Sequence, residues 1–312
     1  MAEVQTTAGP VDLGDLGLTL IHEHMRVRSD AVVAAFPHVY DEEFEYARAI
    51  EFVSDAMDRG VKTICDPTVM EMGRDIRFMK RVAEETGVQL VVATGIYTYH
   101  YLPPHFQNRD IDYMVDLFVR DFEVGIQGTD VKAAFIKCCT DHQGVTDDVE
   151  KVLRAAAKTS LRTGRPIMTH SHPQSGQGLE QMKIFEEEGV DPAKVLIGHT
   201  GDTDSLEYIE ELLGHGPFIG MDRYGLDVIL PTEQRNATVI ELANRGYADR
   251  MFLSQDACCT IDWYPEEMRP QLAPKWTMTY VLDEIVPALK EAGVTDEQVT
   301  QMMEENPRRW LA

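Results

Sequence analysis

Eight short apolar runs recur along the chain, and each is followed by a stretch in which apolar and polar residues alternate with helical spacing. The runs are "LTLIHEH", "VKTICDP", "VQLVVATG", "VKAAFIK", "RPIMTH", "KVLIGH", "PFIGMD" and "RMFLSQD". This alternation is typical of parallel strands joined by crossover helices. Helical periodicity is clear in residues 42–60, 73–87, 147–164 and 206–216, where a glycine stands near each end as a candidate C-cap.

Eight strands alternating with helices predict an α/β fold, a (β/α)8 TIM barrel rather than a doubly wound sheet. The 312 residues fit such a barrel, which takes about 250 residues plus insertions. No low-complexity linker or charge block divides the chain, so we expect residues 1–312 to form a single domain. Residues 277–312 predict two more helices outside the barrel, the second capped by Thr295.

Composition excludes several classes of protein. The formal net charge of −24 argues against nucleic-acid binding, which needs a basic surface. No apolar run approaches the roughly 18 residues of a membrane span, so no membrane partner is expected. The first residues lack the basic and then apolar pattern of a secretory signal, and the five cysteines make no disulfide framework. We therefore expect a cytoplasmic protein.

Chemically competent residues stand at the ends of five predicted strands. They are His22, His24, Lys137, His170, His199 and Asp256. The carboxyl ends of barrel strands form the active-site face, so these side chains are expected at one mouth. Imidazole and carboxylate suit zinc and neighbouring metals, and the set exceeds what one tetrahedral ion requires. The sequence therefore predicts two divalent metals.

Lys137, in the segment "AAFIKCC", has two interpretations. An ammonium cannot bind a metal while protonated, and an isolated lysine at the edge of a core commonly extends its amine to solvent. Two divalent ions about 3.5–4 Å apart, however, require an anionic bridge. The amine would supply that bridge if carbon dioxide converted it to a carbamate. From the residues alone, both alternatives stay open.

The ordered set of strand-end residues resembles the phosphotriesterase family of the amidohydrolase superfamily. The segments "ATGIYTYHYLP", "GVDPAKVLIGHTGDTDSLEYIEEL", "FIGMDRYGLD" and "DACCTIDW" resemble its lactonase branch, and the similarity runs from "TLIHEH" to "NPRRW". The resemblance implies two divalent transition metal ions bridged by carboxylated Lys137 and a hydroxide. Zinc is the favoured metal, with iron, cobalt and manganese as alternatives. It also implies a homodimer, for which residues 32–40, "VVAAFPHVY", are either the interface or an internal loop anchor.

Other residues are assigned roles beside the metals. Asp256 is expected to ligate metal and accept a proton, and Asp202 is either a second proton carrier or a cap for the following helix. Tyr97 is expected to donate to the reacting oxygen, and Arg223 either orients the substrate or holds a loop. Residues 257–276 predict an apolar channel for an acyl chain. Its candidate wall residues are Cys258, Trp263, Tyr264, Leu272 and Trp276.

One position departs from the family pattern. Relatives in the lactonase branch place histidine before the last-strand aspartate, whereas this chain has Gln255. Glutamine donates and accepts hydrogen bonds but does not titrate, so support of Asp256 rather than proton relay is expected there.

The leading hypothesis is a binuclear metal lactonase. It would open N-acyl-homoserine lactones and related γ- and δ-lactones, a quorum-quenching activity, with promiscuous phosphotriesterase (aryldialkylphosphatase) activity. The alternatives are a phosphotriesterase as main activity, a noncatalytic lactone-binding protein, and a mononuclear deaminase, whose site does not call for a lysine on the fourth strand.

Overall fold

A closed α/β barrel forms the body of the protein in the computed structural model, which describes residues 2–312. The strands are β1 Glu3–Thr6, β2 Gly9–Asp12, β3 Thr19–Leu20, β4 Glu23–His24, β5 Thr63–Asp66, β6 Gln89–Gly95, β7 Phe135–Cys139, β8 Ile167–His170, β9 Val195–Ile197, β10 Phe218–Met221, β11 Met251–Leu253 and β12 Ala257–Cys258. Each of the eight predicted apolar runs overlaps at least one strand. The predicted TIM barrel is therefore confirmed.

Helices surround the strands. They are α1 Asp30–Ala35, α2 Glu42–Asp58, α3 Ile76–Thr86, α4 Pro104–Gln107, α5 Ile111–Glu123, α6 Asp147–Thr163, α7 Gln177–Glu188, α8 Leu206–Gly214, α9 Thr232–Asn244, α10 Arg269–Leu272, α11 Val286–Glu291, α12 Asp296–Thr300 and α13 Asn306–Leu311. Within residues 2–312, none of them is both long enough and apolar enough to cross a bilayer. The four helices predicted from periodicity correspond to α2, α3, α6 and α8. Gly87 and Gly164 end α3 and α6 in the left-handed conformation, as their C-cap positions predict.

The main sheet is parallel and has the order β3-β5-β6-β7-β8-β9-β10-β11. The first predicted strand breaks after Leu20, and its second part, β4, pairs with β12, which follows the eighth strand of the barrel. The backbone N–H of Asp256 also donates to the carbonyl of His22, at 3.0 Å. Strands one and eight therefore meet at their carboxyl ends, where the predicted ligands lie.

The C-terminal helix closes the other end of the barrel. Trp310 of α13 is fully buried, and its ring lies 5.3 Å from Phe135 of β7 and 6.3 Å from Phe252 of β11. Because β7 and β11 lie far apart in the barrel, a side chain that contacts both lies across its axis. The expectation that both C-terminal helices pack outside the barrel is therefore wrong for α13. The Thr295 cap is confirmed, with Gln298 completing its capping box.

Lys137 is seated by a close approach of β6 to β7. Gly95 has a φ of 138°, and a Cβ there would lie 1.9 Å from the carbonyl oxygen of Lys137. Only glycine accommodates both constraints, so the register that aims Lys137 into the barrel depends on Gly95.

Candidate metal centre

All six predicted ligand residues are buried at the carboxyl end of the barrel, each at most 8% exposed: His22, His24, Lys137, His170, His199 and Asp256. His22, His199 and Asp256 each offer a ligand atom within 4.8 Å of the others. The ring centroids of His170 and His199 lie 4.6 Å apart. The structure therefore brings residues from five strand ends into one cluster.

Asp222, which follows β10, fixes the orientation of two imidazoles. Its Oδ2 accepts from Nδ1 of His22 at 2.8 Å, and its Oδ1 accepts from both the backbone N–H and Nδ1 of His199, at 2.8 and 3.1 Å. Burial would raise the pKa of Asp222, but His199 and His22 hold it well below the usual carboxyl range. With Nδ1 of both rings carrying the proton, each Nε2 lone pair is free for a metal.

His24 has its own support on β5. Its Nδ1 lies 2.7 Å from Oγ1 of Thr68, whose backbone N–H donates to Asp66. Asp66 also accepts from the backbone N–H of Met25, so the strand that carries His24 is tied to β5. The Nε2 of His24 faces Oδ1 of Asp256 at 3.1 Å. His24 and Asp256 therefore point at the same position.

His170 presents the other ring nitrogen. Its Nε2 donates to Oδ2 of Asp141 at 2.9 Å, which leaves Nδ1 toward the cluster, 3.3 Å from the hydroxyl of Tyr97. Burial would raise the pKa of Asp141, but the hydrogen bond from His170 helps to hold it far below the usual value. Asp141 therefore fixes the orientation of the His170 ring, as Asp222 fixes the rings of His22 and His199.

Lys137 lies inside the cluster rather than at the surface. It is 1% exposed, and its Nζ lies 3.2 Å from Nε2 of His22. Burial lowers the pKa of this amine, and the carboxylates of Asp256 and Asp222 only partly oppose the shift. The alternative of a lysine that extends to solvent is therefore wrong. A neutral amine is also the form that reacts with carbon dioxide.

The donor set fits metal binding. Burial lowers the pKa of His22 to about 4 and lowers the pKa of His170 and of His199, so these three imidazoles are neutral at pH 7. Burial would raise the pKa of Asp256, but His22 and His199 hold it well below the usual range. Neutral imidazoles and an ionised carboxylate are the forms that bind zinc-like ions.

Arg223 and Asp202 extend the site away from the cluster. Asp256 accepts from Nε of Arg223 at 2.9 Å, and Asp202 accepts from the same guanidinium at 3.0 Å and from Arg235 at 3.0 Å. The cap of α8 is Ser205, so the alternative of Asp202 as a helix cap is wrong. These four side chains form a row of alternating charge.

A cavity of about 240 Å³ opens from the cluster. All five predicted wall residues line it, namely Cys258, Trp263, Tyr264, Leu272 and Trp276, and Tyr97 lines it as well. Tyr97 is 8% exposed and Cys258 is 3% exposed, whereas Trp263 is 50% exposed at the entrance. Burial raises the pKa of Cys258 well above that of an ordinary thiol, so it serves as wall and not as nucleophile.

The profile of the phosphotriesterase family matches residues 2–311. The chain belongs to the phosphotriesterase family. It is 50% identical to an aryldialkylphosphatase of Saccharolobus solfataricus, over 97% of each chain. It is 46% identical to a phosphotriesterase homology protein of Mycobacterium tuberculosis, over 99% of this chain and 97% of the relative.

A solved structure agrees with this family membership. The structure of the phosphotriesterase from Mycobacterium tuberculosis superposes with a TM-score of 0.95 at 46% identity, and covers 99% of this chain and 98% of that one. With this membership and the donor cluster, the protein is a metal-dependent hydrolase. The alternatives of a noncatalytic binding protein and a deaminase are therefore set aside.

Four supporting residues of this phosphotriesterase-family site were not identified from sequence. Glu23, Asp66, Asp141 and Asp222 are carboxylates that contact the ligand residues or the backbone beside them. Asp66 and Asp222 end the second and seventh strand runs, so the strand-end criterion that selected the ligands applied to them too. Asp141 and Glu23 do not end a predicted strand, and their contacts depend on the direction of their side chains, which the sequence pattern does not give.

The first prediction concerns Asp222→Asn. The asparagine oxygen can replace Oδ1 toward His199, but its NH₂ would then face Nδ1 of His22 and force the proton of that ring onto Nε2. We expect metal affinity to fall by roughly 10- to 100-fold. The measurement is metal content after dialysis against graded chelator concentrations, with the exposed Asp249→Asn variant as control. Wild-type retention in Asp222→Asn would contradict the assigned role.

Proposed function

We propose that this hydrolase is a lactonase that acts on N-acyl-homoserine lactones and related γ- and δ-lactones, with weaker phosphotriesterase activity. The observation that carries the proposal is the shape and chemistry of the cavity. Its inner end holds Tyr97, Arg223 and the ligand cluster, and its outer part is walled by Trp263, Leu272 and other apolar side chains. A substrate with a polar lactone ring and an apolar acyl tail matches this arrangement.

Tyr97 and Arg223 are the residues that would orient the lactone. Burial raises the pKa of Tyr97 well above its usual value, so its phenol stays protonated and serves as a hydrogen-bond donor at pH 7. Arg223 stays charged, because Asp202 and Asp256 outweigh the effect of its burial on its pKa. The two donors can stabilise the negative charge that develops on the carbonyl oxygen.

Asp256 would accept and transfer the proton during hydrolysis, with Asp202 as its support. Asp256 lines the cavity, and its carboxylate oxygens lie 3.1 to 3.8 Å from Nε2 of His24, His22 and His199. Arg223 bridges Asp256 to Asp202 and so holds the Asp256 carboxylate in place. Its guanidinium has no acceptor for a proton, so the proton accepted at Asp256 would pass to the leaving alkoxide of the substrate. Asp256 is therefore proposed as a catalytic residue and Asp202 as its support.

Two divalent metals, zinc by preference, are proposed as cofactors. His22, His24 and Asp256 would hold one, and His170 and His199 the other, with carboxylated Lys137 between them. The supporting observations are the inward direction of the imidazole lone pairs and the burial of Lys137. When bound, such metals acidify water and polarise the substrate oxygen.

Phosphotriesters are the second candidate substrate class. The 50% identical relative is named an aryldialkylphosphatase. The same oxygen-binding end of the cavity can serve a phosphoryl oxygen, because a lactone tetrahedral intermediate resembles a phosphotriester centre in shape. The two proposals differ in which class gives the higher kcat/KM.

We also propose a homodimer formed through residues 32–40. Val32, Phe36 and Val39 in this segment are 37%, 55% and 60% exposed, so the alternative of an internal loop anchor is wrong for them. Exposed apolar side chains grouped in this way favour contact with another chain.

A cytoplasmic location is supported by the five cysteines, all of which are buried and unpaired.

The second prediction is that kcat/KM for acyl-homoserine lactones exceeds that for a phosphotriester. It should rise with acyl length by up to about fourfold per methylene, since burying each methylene gives about 0.8 kcal/mol. A kinetic panel of γ- and δ-lactones of varied chain length beside one phosphotriester, with metal-quantified enzyme, provides the measurement. A higher value for the phosphotriester would favour the second candidate.

The third prediction tests the carbamate. Lys137→Ala should lose bound metal and hydrolytic activity together, because it removes the anionic bridge. Adding a short carboxylate such as propionate should restore part of both, as measured by metal analysis and initial rates. Lys80→Ala, at the surface, is the control. An active Lys137→Ala enzyme with two metals per chain would show that the lysine has another purpose.

The fourth prediction concerns assembly. Phe36→Asp should convert the dimer into monomers, because it places a charge in an apolar contact. Light scattering after size-exclusion chromatography measures the mass, and Val124→Asp is the control, since Val124 is 58% exposed on another part of the surface. A monomeric wild-type protein, or a dimeric Phe36→Asp variant, would refute the proposed interface.

A further inference from the structure

Glu23 stands between two ligand histidines, and its carboxylate is buried at 0% exposure. It accepts four hydrogen bonds. The donors are the hydroxyl of Ser254 at 2.7 Å, the backbone N–H and side-chain amide of Gln255 at 3.0 and 2.8 Å, and the backbone N–H of Ala257 at 2.7 Å. A buried carboxylate needs such partners, and all four come from the segment that contains Asp256.

These donors bracket Asp256 along the chain. The backbone N–H groups of Gln255 and Ala257, on either side of it, both donate to Glu23. Asp256 itself has a φ of 52°, a left-handed conformation that costs a non-glycine residue of order 1–3 kcal/mol. That conformation persists because the flanking amides are held, and Glu23 is what holds them.

Ser254 adds a second connection to the same carboxylate. Its hydroxyl accepts from the backbone N–H of His22 at 3.2 Å and donates to Glu23 at 2.7 Å. Glu23 therefore fixes the turn at Asp256 relative to the backbone of His22. The two ligands come from opposite ends of the sequence, and this network sets the distance between them.

We propose that Glu23 is a positioning residue for the metal centre: its carboxylate clamps the strained turn that presents Asp256 toward His22 and His24. The inference rests on the proposed metal site, but it concerns the arrangement of the ligands and not the choice of substrate. Glu23 is not itself a ligand, since its oxygens are occupied by the four donors.

Gln255 extends the clamp to the cavity wall. Its amide donates to Glu23 and to the carbonyl of Met278 at 3.3 Å, and its Oε1 accepts from the backbone N–H of Val281 at 3.0 Å. Its backbone carbonyl accepts from Nε1 of Trp276, a wall residue, at 2.9 Å. A neutral imidazole has only one N–H, so histidine cannot make both side-chain donations. The glutamine thus ties Asp256 to residues 276–281.

The test compares Glu23→Gln with Glu45→Gln in the metal-loaded enzyme. Glu45 is also a buried carboxylate, but it pairs with Arg26 and Arg28 away from the metal cluster. In Glu23→Gln, the side-chain NH₂ would face N–H or O–H groups that now donate to the carboxylate. Two donors cannot pair, so the turn at Asp256 should be held less firmly. We expect metal loss to a chelator to accelerate by roughly 10- to 100-fold, and kcat to fall with little change in KM.

A cobalt-substituted sample adds a readout that general destabilisation does not change. The visible absorption of cobalt should shift in Glu23→Gln and remain as wild type in Glu45→Gln, even if both variants unfold at lower temperature. Unchanged cobalt absorption and chelation rate in folded Glu23→Gln would overturn the proposal. So would the same acceleration in Glu45→Gln.

If Glu23→Gln does not fold, the Gln255→Met variant tests the same positioning role. It keeps the backbone donor to Glu23 but removes the side-chain links to Glu23, Met278 and Val281. We expect faster metal loss in the same direction, and a wild-type rate would refute the clamp. Neither metal loss nor cobalt absorption involves a substrate. A wild-type enzyme that holds metal without hydrolysing lactones would refute the proposed function and leave this test intact.

Discussion

Closure of the barrel between its first and last strands is the constraint on which the site depends. In residues 2–312, β3 and β11 form the two ends of the hydrogen-bonded sheet. The gap is closed only higher up, where β4 pairs with β12 and Asp256 donates to the carbonyl of His22. The residues that close the barrel are thus those that carry three of the predicted ligands. The contacts that close the barrel therefore also bring these three residues together.

Closure at the carboxyl end of the barrel buries several ionisable groups. Their pairing with one another lowers the free-energy cost of that burial. An unpaired buried charge costs several kcal/mol, whereas a charge with hydrogen-bonded partners costs much less. Asp222 lies between His22 and His199, and Arg223 lies between Asp256 and Asp202. Each charge is therefore satisfied by protein groups, and the ligand atoms are left facing one another. The site is preorganised by groups that need not touch the metal.

The strands, the principal helices and the gathering of the six candidate ligand residues at one mouth were predictable from sequence, because each depends on local periodicity or on position at a strand end. The contacts between side chains from distant parts of the sequence could not be predicted in this way. Asp202 sat where a helix cap was plausible, yet Ser205 takes that place, and only the fold brings Asp202 to Arg223 and Arg235. The place of Trp310 inside the barrel was likewise hidden, since an amphipathic helix pattern does not say which surface it covers.

The walls of the cavity are linked by contacts to the candidate metal centre. The ring of Tyr97 lies 6.0 Å from that of Trp263 at the cavity entrance and 5.3 Å from that of His170, and its hydroxyl is 3.3 Å from Nδ1 of His170. Tyr97 therefore connects the cavity entrance to His170. On the opposite wall, Trp276 bonds to Gln255 beside Asp256. Both walls of the cavity are thus in contact with the groups that hold the metal ligands. A substitution in either wall therefore also changes the contacts of the candidate metal centre.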